Sequence, residues 1–328
     1  MRSTRRELLG LLADGATHSG EALGAALGIS RAAVWKQVSA LGALGLQVER
    51  EAGRGYRLRQ PLDLLEPGRI EAALSDRARS MLGELRVAEV VGSTNALLME
   101  ENLPFDAPPV ALFAEQQTSG RGRRGRQWVS PFASSLSFSL GFGFERLPPD
   151  FPALGLALGV AARRAFSRLG IRPPALKWPN DLYAGGAKLG GILLEMRGEP
   201  PGACRLVAGI GVNVAVPGEQ GQGIGQAWAN VRDLCEPDQV PGRNALAAAL
   251  LEEWLAALPL FQAEGFAPFL PEWREADWLA GMQVVVLEAD RELRGRAQGV
   301  AADGALEVEV EGQLRRFVSG DVSLREAK

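Results

Sequence analysis

Residues 4–13, TRRELLGLLA, set Leu8, Leu11 and Leu12 on one side of a helix at spacings of three and four. HSGEALGAALG follows, with Ser19 as its N-cap and Gly28 as its stop. In the next run, ISRAAVWKQVSALGALG, Ser30 caps a third helix and Val34, Val38 and Leu41 form its core stripe. Three short helices, the last two joined by a tight glycine-containing turn, predict a helix-turn-helix. The period then changes. LQVEREAGRGYRLR alternates Leu46, Val48, Tyr56 and Leu58 around AGRG, which predicts a β-hairpin wing. RQPLDLLEPG, with Pro61 and Pro67, reads as a linker.

Beyond it, strand and helix patterns alternate. RVAEVVG reads as a strand, and SSLSFSLGF as a half-buried one presenting Leu136, Phe138 and Leu140. Leu154, Leu158, Ala162, Ala165, Phe166 and Leu169 share a helical face that ends at Gly170. ALKWPNDLYAGGAKLGGILLEM predicts two strands joined at Gly185–Gly186, and CRLVAGIGVNVAV one more. NALAAALLEEWLAALPLF predicts a second long helix. From about residue 280 the chain breaks into short strands with Gly and Asp-Gly turns. The expectation is an α+β protein in three parts. A winged helix-turn-helix covers 1–62, a mixed sheet backed by helices covers 67–278, and a small β-domain covers 279–328.

Charge divides along the same line. The net charge is −3, yet residues 1–62 carry nine Lys/Arg against five Asp/Glu, so the remaining residues are acidic. A basic module on an acidic body predicts that the first part alone faces a polyanion. Ser30, Arg31, Lys36 and Gln37 lie in the half of the third helix that meets base edges. Arg50, Arg54 and Arg57 on the wing are in reach of phosphates. The competing reading is a small helical cap with a solvated basic face. No apolar run approaches the roughly 18 residues of a membrane helix, and no signal peptide is evident, so a cytoplasmic protein is expected. Cys204 and Cys235 are expected to be free thiols. With His18 as the single histidine, a multi-histidine metal site is excluded and a Ser-His-Asp triad would have to use that residue. Chemistry must run on Lys, Arg, Asp, Glu, Asn and backbone groups.

The densest chemical signal is TSGRGRRGRQW, residues 118–128, with Arg121, Arg123, Arg124 and Arg126 among Gly120, Gly122 and Gly125. No GxxxxGK[ST] occurs, and GIGVNV lacks the third glycine of a dinucleotide motif. The loop supplies another means of holding phosphates. Glycines turn N–H groups toward an anion, and guanidiniums match phosphate with two donors each. Such a loop repels itself and orders when a polyphosphate neutralises it, covering a reactive intermediate. A solvated charge run and an RGG-like nucleic-acid segment compete with this reading. KWPND, residues 177–181, contributes Lys177, Asn180 and Asp181; Lys188 stands just past the next turn, before Gly190 and Gly191; GSTN, residues 92–95, ends a strand with three small polar side chains.

The ordered set GSTN, EQQTSGRGRRGRxW, KWPNDL, KLGGILLE and GIGVNV resembles biotin protein ligases. With a winged helix in front, nearly the full chain is similar to the bifunctional class that also represses the biotin operon. That resemblance implies a class II synthetase-like central domain and an SH3-like C-terminal barrel. It implies that biotin and Mg-ATP give biotinyl-5′-adenylate, and that biotin then passes to a lysine of the biotin carboxyl carrier protein of acetyl-CoA carboxylase. Ser93, Thr94, Asn95, Gln117, Lys188 and Gly191 fall at biotin positions, as do Arg121, Gly122 and Arg123, on the loop that closes over the ligand. Arg124, Arg126, Trp128, Lys177, Asn180 and Asn213 join Arg121 and Arg123 on the ATP and adenylate side. Lys188 matches the catalytic lysine. Lys188 and Arg123 would offset the repulsion between carboxylate and α-phosphate. Asn180 and Asp181 would orient Lys188 or a Mg²⁺, and Asp181 is a candidate proton acceptor in the transfer step. The resemblance also implies operator DNA as a partner and a homodimer promoted by the adenylate. Two alternatives stay open: a transcription factor that only senses biotin, and a lipoate ligase.

Overall fold

The structure, a computed structural model, describes residues 4–101, 103–198, 202–236, 239–288, 291–318 and 322–326. The N-terminal module is a winged helix-turn-helix. Helices α1 (Thr4–Leu12), α2 (Gly20–Leu27) and α3 (Arg31–Ala40) precede a hairpin of β1 (Val48–Glu51) and β2 (Gly55–Leu58). The Ser19 and Ser30 hydroxyls accept from Ala22 N and Ala33 N and cap α2 and α3. Gly28 closes α2 at φ 65°, a left-handed conformation that glycine adopts without strain. Leu8, Leu9, Leu12, Leu23, Val34, Val38, Leu41 and Leu58 form its core.

Helices α4 (Pro67–Ala73) and α5 (Asp76–Met81) lead into the central sheet. Its strands are β3 (Glu84–Val91), β4 (Val110–Arg121), β5 (Gln127–Ser130), β6 (Ser135–Phe144), β7 (Ala175–Lys177), β8 (Asp181–Ala184), β9 (Ala187–Arg197) and β10 (Cys204–Asn213). They run in the order β3-β4-β6-β10-β9-β8-β7, with β5 paired to β4. Only β3–β4 is parallel, and α6 (Thr94–Glu100) lies between those strands in the chain. Helices α7 (Leu154–Arg168) and α8 (Arg243–Glu264) pack together, and their buried residues share one core with Leu136, Phe138, Leu140 and Phe142. Helix α9 (Leu270–Ala276) ends the domain.

Three sequence expectations change here. Strand β6 is buried on both faces. Its Leu and Phe side chains enter the helical core, while Ser135, Ser137 and Ser139 are buried beneath other polar groups. KWPND is itself a turn, between β7 and β8, so the segment expected to give two strands gives three. Pro179 has no N–H for a ladder and disfavours helix before it. Gly185 and Gly186, both at positive φ, form the second turn. Helix α8, among the described residues, is long and apolar enough to cross a membrane. Most of that apolar length is buried in the core; Trp254 Nε1 donates to Leu158 O, and Glu252 accepts from Ser75.

The C-terminal strands β11 (Gln283–Glu288), β12 (Arg291–Val300), β13 (Leu306–Val310), β14 (Gln313–Phe317) and β15 (Val322–Glu326) form a five-stranded antiparallel sheet, order β14-β13-β12-β11-β15. The buried Trp178 of the KWPND turn donates its indole N–H to Gly304 O of this domain at 3.0 Å. The expected linker is packed. Asp63 accepts from Arg243 N, and Leu65 N donates to Glu115 at 2.8 Å.

Candidate active site

The floor of the site follows from strand register. Ser139 pairs with Gly209 across β6 and β10, Ser137 with Gly211, and Gly211 with Gly191 across β10 and β9. Opposed residues project from the same face, so this patch of sheet carries only hydroxymethyl groups and hydrogens. Larger groups from above come down onto it. A Cβ on Gly209 would lie 2.0 Å from Asn95 Oδ1, and one on Gly211 would lie 2.3 Å from Trp128 Cε2. A cavity of about 720 Å³ opens there, between α6, the arginine-rich hairpin and the KWPND turn.

One end is lined by the uncharged Ser93, Thr94, Asn95 and Gln117 and is heavily hydrogen-bonded. The Ser93 hydroxyl caps α6 through Ala96 N. Gln117 Oε1 accepts from Thr94 N at 2.8 Å and from Thr94 Oγ1 at 3.1 Å. Ser139 Oγ lies 2.7 Å from Thr94 Oγ1 and 2.5 Å from Asn95 Oδ1. Asn95 Nδ2 donates to Glu195 Oε2 at 2.8 Å, and Arg121 is 3.4 Å from the other oxygen of Glu195. These contacts fix the side chains before a ligand arrives.

The other end is cationic. Arg121, Arg123, Arg124, Arg126, Lys177 and Lys188 line the cavity, with Asp181 its single carboxylate among the described residues. The arginine-glycine segment is a hairpin from β4 to β5. Gly122 N donates to Arg126 O at 2.7 Å, and Arg124 and Gly125 turn the chain at φ 56° and 71°. Burial, then the charge of Arg124, draws the Arg123 guanidinium below its usual pKa; Asp181 opposes this and Arg126 adds to it. Lys188 Nζ is 2.7 Å from Asp181 Oδ1. A Cβ on Gly191 would sit 3.2 Å from that oxygen and 3.4 Å from Nζ. Asn180 Nδ2 donates to Ile192 O at 2.6 Å, which holds the turn on β9. Lys177 Nζ donates to Tyr183 OH at 3.1 Å and lies 4.5 Å from the centre of that ring. Asn213 Nδ2 donates to Ala229 O, whereas Asn213 Oδ1 and Trp128 Nε1 are buried without a partner among the described residues.

Every ligand-site residue expected from the sequence lines this one cavity. The DNA-module residues lie apart on α3 and the wing, where Arg54 pairs with Glu51 at 3.1 Å and Arg57 with Glu49 at 2.6 Å. Sequence reasoning missed Glu195, Ser139, Gly209, Gly211, Tyr183 and Trp228. The alternation of glycine in AGIGVN and of serine in SSLSFSL was the available signal, since a strand loses side chains on one face only where something must approach it. Trp228 arrives by backbone pairing: Lys188 N donates to Ala227 O and Ala229 N to Lys188 O, both at 3.0 Å. No cluster of three His, Cys, Asp or Glu occurs among the described residues, and Asp181 already faces Lys188.

Comparison with known proteins places the chain in a family. Residues 87–213 match the biotin/lipoate A/B protein ligase family, 4–57 an HTH domain, and 281–325 the biotin protein ligase C-terminal domain. The chain is 37% identical over 98% of its length, and 97% of the relative's, to the bifunctional ligase/repressor BirA of Escherichia coli. It is 34% identical, over 81% of its own length and 97% of the relative's, to the biotin–[acetyl-CoA-carboxylase] ligase of Mycobacterium tuberculosis. Among solved structures, the biotin protein ligase of Aquifex aeolicus in complex with biotin and ATP superposes with a TM-score of 0.61 at 28% identity. The match covers 75% of this chain and all of that one. The chain therefore belongs to the biotin protein ligases, in the bifunctional ligase/repressor class that joins a helix-turn-helix module to the catalytic domain.

Proposed function

We propose that the cavity joins biotin to AMP and then delivers biotin to a carrier lysine, and that the N-terminal module carries this ligand signal to operator DNA. The observation that carries the reading is the make-up of the cavity: six cations and one carboxylate line it together with the uncharged, hydrogen-bonding Ser93, Thr94, Asn95 and Gln117, beside which Arg121 is tied to Glu195. A ureido ring offers two N–H donors and a carbonyl acceptor to Asn95, Thr94, Ser93 and Gln117. A dithiolane ring offers none, and would leave those buried groups unpaired, which favours biotin over lipoate.

In the first step, a biotin carboxylate oxygen bonds to the α-phosphorus of ATP while the α–β bridging P–O bond breaks and pyrophosphate leaves. Lys188 and Arg123 lie where they offset the repulsion between the two anions and stabilise charge on the transferring phosphoryl group. Arg121, Arg124, Arg126 and Lys177 suit the leaving pyrophosphate and ribose phosphate. Mg²⁺ enters as part of the nucleotide substrate and keeps most of its ligands on phosphate and water. Asp181 holds the Lys188 ammonium in place. In the second step the ε-amine of the carrier lysine attacks the acyl carbon, the C–O bond to AMP breaks, and the amine loses a proton. Asp181, the cavity's carboxylate among the described residues, is the proposed acceptor.

The proposed carrier is the biotin carboxyl carrier protein of an acetyl-CoA carboxylase, in the cytoplasm. The adenylate-bound chain is proposed to bind operator DNA as a homodimer, which couples biotin supply to repression. The decisive experiment incubates the purified chain with ATP, labelled biotin and a carrier domain, with lipoate in a parallel reaction. Label on the carrier lysine is expected with biotin and none with lipoate; absence of transfer sinks the enzyme reading. Arg123→Gly is expected to release adenylate faster with the winged helix still folded, and unchanged retention counts against the clamp. Operator footprinting with and without biotin and ATP tests repression, and protection that ignores both ligands removes the coupling.

A further inference from the structure

Helix α3 carries a side chain that neither its cap nor its core packing requires. Trp35 is 56% exposed, the only exposed tryptophan of the seven in the chain. Val34 and Val38 point into the core, so Trp35 falls on the outward side of the helix. Its neighbours at i−3 and i+4 are Ala32 and Ser39, both small and both exposed, and they do not screen the indole. Arg31, at i−4, lies back toward α2: a Cβ on Gly20 would be 3.5 Å from both Arg31 Cγ and Tyr56 Cε2. Lys36 is exposed, and α3 contains no Asp or Glu. The surface is one exposed aromatic ring next to small residues, on a helix whose only charged side chains, Arg31 and Lys36, are cations.

An exposed indole gains stability when another surface covers its apolar faces. The exposed charges of α3 are cationic, which suits a polyanion, and an α-helix fits the major groove. There, thymine presents an apolar group, its C5-methyl. We propose that Trp35 is a base-reading residue whose indole packs on the methyl group of a thymine. The inference rests on the DNA-binding part of the proposed function and adds the residue and the base that give sequence preference.

The test uses the full chain with biotin and ATP. A pool of random duplexes about 40 base pairs long is enriched on the wild type. The enriched duplex is then re-made with deoxyuridine at each thymine in turn, which deletes single methyl groups. Wild type is expected to lose about 5–10-fold in affinity at one thymine per half-site, and Trp35→Ala to be insensitive there. W35A is expected to bind the enriched duplex about 10–100-fold more weakly and an unselected duplex as wild type does. Trp35→Phe is expected to retain part of the preference. Biotin transfer to the carrier domain is expected to be equal in all three, which reports correct folding. If the wild type enriches no sequence, the DNA reading falls and the proposal with it. If it enriches a site that W35A binds equally well, only the proposal falls. The same holds if W35A changes only the sedimentation of the chain, which would make the indole a protein contact.

Discussion

Lys188 and Asp181 stand 2.7 Å apart at the cationic end of the cavity, and their roles separate by what each substitution leaves behind. Lys188→Ala removes a charge from the transition state and is expected to lower the adenylation rate by about 10²–10³-fold. Biotin affinity should fall less than the rate, because Ser93, Thr94, Asn95 and Gln117 are untouched. Single-turnover release of labelled pyrophosphate measures the rate, and a loss below tenfold would remove Lys188 from the chemical step. Asp277, outside the site, makes a different prediction. Burial raises its carboxyl to about 6, and Oδ2 has no hydrogen-bond partner among the described residues while Oδ1 accepts from Leu279 N. The folded pKa lies above the unfolded one, so the folded state holds the extra proton between them. The penalty is absent below about pH 4, grows as pH rises through 6, and is complete above it. Asp277→Asn should therefore gain roughly 1–3 kcal/mol over wild type at pH 8, and the difference should shrink toward pH 5. Denaturant midpoints across that range check it; a constant offset would mean that the carboxyl does not titrate as stated. The residues that line the cavity were legible in sequence because Lys, Arg, Asp and Asn in short motifs announce themselves. Glu195 was not, since nothing in GILLEM shows that its carboxylate reaches Asn95 and Arg121 across a sheet.

Strands, helices and turns were legible in proportion to how far their pattern reflects a single environment. Capped helices such as α2 and α3 read correctly because Ser19, Ser30 and Gly28 make local bonds that need no tertiary contact. Strand β6 reads as half-buried because serine normally marks a wet face, whereas here that face is the site floor. The same floor gives a sharp element-level prediction. A methyl on Gly209 would lie 2.0 Å from Asn95 Oδ1, and its β10 backbone is held by β6 and β9 on both sides. Gly209→Ala must therefore displace Asn95 and break its contacts to Ser139 and Glu195. The expected result is a biotin KM raised about tenfold or more, with the ATP KM near that of wild type. An equal rise in both constants would show that the sheet, not the biotin end, had moved.

Across the whole molecule, one buried carboxylate gathers parts that the sequence keeps far apart. Glu115 on β4 is fully buried. It accepts from Arg6 of α1 at 2.8 Å, from Leu65 N of the connecting segment at 2.8 Å, and from Arg243 of α8 at 2.6 Å. Arg243 also donates to Asp63 O and Ser135 O. The proline-flanked segment reads as a linker by composition because these ties come from residues 50 to 180 positions away. A charge in this setting is tolerated only while it stays fully paired, so deleting one partner costs more than the pair itself contributes. The two arginines should differ. Arg243→Met strips a buried charge and leaves Glu115 underpaired in the core, for an expected loss of about 3–5 kcal/mol in global stability. Arg6→Met leaves Arg243 and Leu65 N in place; its loss should be nearer 1–2 kcal/mol and confined to the seam, because α1 is freed while α8 is not. Denaturant unfolding measures the first effect. Limited proteolysis measures the second: Arg6→Met should cleave faster within residues 59–66 while adenylate formation proceeds at the wild-type rate. Cleavage at the wild-type rate would show that the apolar seam of Leu64, Phe132 and Val90 holds the winged helix without the ion pair. Equal global losses for the two variants would show instead that the winged helix and the ligase domain unfold as one unit.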